Sequence, residues 1–89
     1  MCRNIRSLYN FEPPASAEDV HAASLQYVRK ISGFTRPSHA NEEAFERAIA
    51  AVAEASSRLL EELVTNAPPR NREQEIARAR ARAERRFAA

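Results

Sequence analysis

Arg29, Lys30 and Arg36 bracket Gly33, the only glycine in the chain, and Ser38 and His39 follow where a second helix is expected to begin. Cations beside a helix start are the ingredients of anion capture. Free backbone N–H groups and a serine hydroxyl donate to a phosphate or carboxylate, and the guanidinium groups add charge-assisted hydrogen bonds. Arg29, Lys30, Arg36, Ser38 and His39 therefore form the candidate anion-binding set. No glycine-rich phosphate loop or Walker spacing accompanies them. Glu42, Glu43 and Glu46 stand close by in sequence, so the plainer account is helix capping with local ion pairs.

Cys2 is the other residue with reactive chemistry. If the initiator methionine is removed, the α-amine lies beside the thiol and can act as its base. N-terminal cysteine nucleophiles belong to large sheet sandwiches that 89 residues cannot build, and an inert thiol is the ordinary alternative. A Cys2–His39 nucleophile pair would need the fold to bring the two together. His21 and His39 lie on different segments and Cys2 is the only thiol, so no metal-ligand spacing exists and no cofactor is implied. The carboxylate pairs Glu18/Asp19, Glu42/Glu46 and Glu61/Glu62 are expected on solvated faces as solubilising charge. An enzyme is the less favoured reading.

Charge is distributed unevenly. Residues 1–69 carry seven Arg/Lys and nine Asp/Glu, whereas residues 70–89 carry seven Arg and three Glu. The tail is thus +4 and the rest −2, for a net charge of +2. Such a tail can meet nucleic acid through phosphates. Glu73, Glu75 and Glu84 interrupt it, and Phe87 is its one aromatic, so a solvated helical face is preferred. The chain has a single cysteine, no signal-peptide pattern and no apolar run long enough to span a membrane, which points to a cytoplasmic protein.

These residues must be positioned by helices. A lead-in, 1–15, holds Ile5, Leu8, Tyr9 and Phe11, which are expected to form one amphipathic turn before Pro13 and Pro14 break it. Ser16 to Asp19 reads as a capping box. Val20, Ser24, Tyr27 and Ile31 then share a helical face, and Gly33 suits a left-handed C-terminal cap. After the Thr35–Ser38 linker, Ser38 or Asn41 caps a second helix whose apolar stripe runs from Phe45 to Val64. Helices are expected over 17–32 and 40–65, antiparallel, burying Val28, Ile31, Phe45, Ile49, Val52, Leu59 and Leu63. A third, Arg-rich helix follows a cap between Asn71 and Gln74. Its stripe of Ile76, Ala79, Ala83 and Phe87 either packs on the first two helices or frays. The expectation is one all-α domain over 1–89: a lead-in (1–15), a helical hairpin (16–66) and an Arg-rich helix (70–89).

The segments MCRNI, FEPPA, LQYVRKISGFTRPSHANEEAFERA and NAPPR resemble a family of short bacterial proteins known as a domain of unknown function. The resemblance runs almost the full length. It implies a stand-alone cytoplasmic unit, and it implies no activity, cofactor or substrate. The expectation from the residues is a small helical binding or regulatory module acting through a protein or a small anionic ligand, with self-association through helix faces open. The alternatives are a nucleic-acid-associated protein using the tail and linker cations, and a minor enzyme using Cys2.

Overall fold

The computed structural model describes residues 5–88. In chain order it contains β1 (Phe11–Glu12), α1 (Ala17–Ser32), a 3-10 turn (His39–Asn41), α2 (Glu42–Glu62), β2 (Arg70–Asn71) and α3 (Arg72–Ala88). It is an all-helical architecture, with one two-residue strand pair as its only sheet among the described residues.

The start of α1 is set by its cap. The Ser16 hydroxyl accepts from the Asp19 N–H at 3.1 Å, and the Asp19 carboxylate accepts from the Ser16 N–H at 2.9 Å. Two otherwise orphaned donors are thereby satisfied reciprocally. At the far end Gly33 sits at φ 77°, and its N–H returns to the Arg29 carbonyl at 2.9 Å. That is the left-handed cap a glycine adopts at little cost.

α2 begins later than expected, because His39–Asn41 form a 3-10 turn first. Neither Ser38 nor Asn41 caps a backbone N–H with its side chain; Asn41 Nδ2 donates to Ser38 Oγ at 2.8 Å instead. α2 also ends early, at Glu62 rather than near Asn66. Two glutamates in its last turn oppose the helix dipole, the β-branched Val64 and Thr65 propagate helix poorly, and no glycine is present to cap it.

α1 and α2 pack together around Val28, Phe45 and Ile49, with Leu25 and Ala48 against them. Val20 and Ser24 complete the buried stripe, and the Ser24 hydroxyl is satisfied by the Val20 carbonyl at 2.8 Å. Three expected core residues are exposed: Ile31 by 67%, Leu59 by 54% and Leu63 by 44%. Each lies in the last turn of its helix or just beyond it, where the partner helix no longer covers it. Val52 is half-buried.

The lead-in does not form the expected helical turn. It runs as irregular chain into β1, which pairs in parallel with β2, Phe11 opposite Arg70 and Glu12 opposite Asn71. Asn10 makes the bend, with φ 62°. Its carbonyl accepts from the Arg70 N–H at 2.8 Å, and its Nδ2 reaches the carbonyls of Ala67 (3.3 Å) and Pro68 (3.2 Å). Asparagine tolerates this left-handed backbone better than other residues with a side chain. The asparagine thus fastens the segment before α3 to the lead-in.

α3 is held at its N-terminus, where Asn71 Oδ1 accepts from the Gln74 N–H at 2.9 Å. It lies against β2 and the lead-in rather than on the α1–α2 pair. The molecule is consequently flat, 45 × 38 × 18 Å, with a radius of gyration of 15.8 Å. A fully compact chain of this length would have about 12 Å.

Candidate functional site

The linker keeps its candidate residues near the surface and gives several of them local partners. Arg29 Nε donates to the Thr35 carbonyl at 3.0 Å, tying the linker back to α1. His39 Nδ1 lies 3.6 Å from the Glu42 carboxylate, with the imidazole almost wholly exposed. Ser38 Oγ accepts from Asn41 as described. Lys30 and Arg36 are exposed and make no hydrogen bond or ion pair among the described residues. Cys2, and with it the Cys2–His39 pair, lies outside the described residues. No group of three or more His, Cys, Asp and Glu is placed to hold a metal among those residues.

A second cluster is built where the lead-in, β2 and the first three turns of α3 meet. They enclose a half-open cleft of about 690 Å³. Five arginines line it: Arg6, Arg70, Arg72, Arg80 and Arg82. Only two carboxylates, Asp19 and Glu75, share it. Its apolar walls are Ile5, Phe11, Ile76 and Ala79.

Two of the arginines hold the site together. Arg70 lies over the Phe11 ring, its guanidinium carbon 4.4 Å from the ring centre, and donates to Ser7 Oγ (3.1 Å) and the Tyr9 carbonyl (3.0 Å). Arg72 approaches the same ring at 5.7 Å and donates to the Pro13 carbonyl at 3.1 Å. Its other nitrogen reaches Asp19 at 3.0 Å. A guanidinium on an aromatic face keeps its charge while its flat surface is desolvated. Asp19 is therefore more than solubilising charge: it caps α1 and anchors α3 at once. The Ser16 N–H, first, and then the Ser16 side chain and the Arg72 guanidinium hold its carboxyl below the ordinary carboxylate range, against a partial desolvation that raises it.

The remaining three, Arg6, Arg80 and Arg82, make no hydrogen bond or ion pair among the described residues. Glu75 is engaged by Arg78 at 3.3 Å. Among the described residues, the cleft therefore presents unpaired guanidinium groups above an apolar wall, with its acids already taken. The sequence signal for it was the positive tail. What the pattern did not show was that Ser7, Tyr9, Phe11 and Asp19 come to meet that tail from about sixty residues away.

A family model described as "Uncharacterized conserved protein (DUF2277)" matches residues 1–78, and the chain belongs to that family. The matched region takes in Arg6, Arg70 and Arg72 and stops inside α3, before Arg80 and Arg82. No curated protein and no solved structure matches the chain. No helix among the described residues is long and apolar enough to cross a membrane.

Proposed function

We propose that this protein is a small helical binding module that takes an anionic partner in the arginine-lined cleft between the lead-in and α3. The observation that carries the reading is the charge imbalance of the cleft, five arginines against two carboxylates that are both already paired. Like charges gathered in one half-open depression repel one another and raise the local concentration of anions. Arg70 and Arg72 are pre-positioned by their bonds to the lead-in, so little order remains to be imposed on them when a ligand binds. Each charge-assisted hydrogen bond from the free arginines contributes about 1.5–3 kcal/mol before desolvation. We also read the protein as cytoplasmic, on its single cysteine and its lack of an apolar span among the described helices.

The test is a titration of the isotope-labelled chain with inorganic pyrophosphate, followed by amide NMR. Shifts are expected at residues 5–7 and 70–82. Arg80→Ala and Arg82→Ala should each weaken the response while leaving the α1 and α2 amides in place. Shifts confined to residues 38–42 would move the site to the linker cations Arg29, Lys30 and Arg36. No shift in either place would refute an anion-binding module.

A further inference from the structure

We propose that the anionic partner is a second copy of this chain, the acidic end of α2 from one copy seated on the arginine-flanked stripe of α3 from the other. The inference rests on the reading of the cleft as an anion-binding surface and names the anion. α2 carries six glutamates and two arginines, a net of −4, and α3 carries six arginines and three glutamates, a net of +3. Both α2 arginines are already engaged, Arg47 with Glu43 and Arg58 with Glu54. Glu61 and Glu62, the last two residues of α2, have no cation among the described residues, and none lies in that turn. Two anions at the negative end of a helix dipole are unfavourable until a cation is supplied from outside the helix.

Beside those glutamates, Leu59 and Leu63 remain about half exposed and Val64 is 93% exposed. α3 has the complementary makeup. Ile76, Ala79 and Ala83 recur at three- and four-residue steps on one face, and the unpaired Arg80 and Arg82 stand at its edges. The α2 end exposes apolar side chains and anions without a cation, and α3 offers a stripe that the lead-in covers only in part, flanked by guanidinium groups without a counter-ion among the described residues.

Within one chain no extensive packing of α3 on α2 forms among the described residues. The pairing of β1 with β2 and the Asn10 clamp hold α3 against the lead-in, away from α2. Exchange between two copies satisfies both. Under a two-fold axis, α2 of the first copy lies on α3 of the second and the reverse contact forms at once, the isologous arrangement usual for homodimers. It also accounts for a radius of gyration well above that of a compact monomer, since the third helix finds its cover on the other copy.

Light scattering during size exclusion of the full chain, over a range of concentrations, tests this. A mass twice the 10.0 kDa of the chain is expected. Glu61→Arg/Glu62→Arg and Arg80→Glu/Arg82→Glu should each raise the dimer dissociation constant at least roughly tenfold, because like charges then face each other. Both doubles change exposed positions, and circular dichroism should show unchanged helix content. Mixing the two should restore a one-to-one dimer through the reversed pairs. Wild-type dimers with no restoration in the mixture would overturn the proposed surface. A chain that stays monomeric while pyrophosphate still shifts residues 70–82 would overturn the dimer and leave the anion-binding cleft standing. A monomer that also fails to respond to pyrophosphate would overturn both.

Discussion

Between α1 and α2, the side chains of Val20, Val28, Phe45 and Ile49 are each exposed by less than a tenth of their surface. At the junction that carries α3, none of the described side chains is buried to that degree. What holds the junction is a set of directed polar contacts: Arg70 on Ser7, Tyr9 and Phe11, Arg72 on Asp19 and Pro13, and Asn10 on Ala67 and Pro68. The two regions therefore answer to different physics. The hairpin depends on apolar area removed from water, which is insensitive to salt and intolerant of cavities. The junction depends on charge and hydrogen bonding near the surface, where each contact is worth little alone and is screened by ions. A ligand surface benefits from this division, because α3 can adjust to a partner without loosening the core.

Removing volume from the hairpin should have the largest effect. Phe45→Ala empties the middle of the core and should cost about 3–5 kcal/mol, enough to unfold much of a domain this small at ambient temperature. Circular dichroism melts will register it as loss of α1 and α2 together. Arg72→Ala should act on the other region alone. It removes the Asp19 and Pro13 contacts at a cost of about 1–2 kcal/mol, freeing α3 while the amides of residues 20–28 and 45–52 keep their protection from exchange. Equal loss in both regions would mean that α3 supports the hairpin directly.

Gly33→Ala comes next. Nothing lies within 4 Å of the added methyl group, so only the positive φ is penalised. A cost of about 1 kcal/mol is expected, read from the shift in melting temperature; a neutral substitution would contradict the left-handed cap.

The smallest effect concerns pH and joins the regions through Asp19. Its carboxyl is held below the ordinary value, so the unfolded state binds this proton more readily. The associated stability is present above the ordinary carboxylate range and is lost as pH falls through the depressed folded value. Asp19→Asn should flatten that part of the acid-unfolding profile, and an unchanged profile would remove Asp19 from the account.

The sequence was most readable where structure is local. Ser16, Asp19 and Gly33 mark both ends of α1, because capping involves neighbours in the chain. The stripe around Phe45 and Ile49 marks the hairpin core for the same reason. Ile31, Leu59 and Leu63 follow the same periodicity yet are exposed, since a helical stripe records which way a side chain faces and not how far the partner helix extends. The pairing of Phe11–Glu12 with Arg70–Asn71 was not readable: two-residue strands have no alternation to detect, and they join segments about sixty residues apart. The cleft was half visible for this reason. The positive charge of residues 70–89 could be counted, but the aromatic and carboxylate groups that organise it arrive through tertiary structure. In the linker, the contact of Arg29 Nε with the Thr35 carbonyl, which ties the linker back to α1, was likewise not readable from residue types.

Residue-resolved hydrogen exchange at low and high sodium chloride tests this division most directly. Added salt should speed opening of the amides of residues 70–82 while those of residues 20–28 and 45–52 keep their rates, because screening reaches the arginine contacts and not the apolar core. The same salt response in both regions, or a hairpin more sensitive than the junction, would contradict the account.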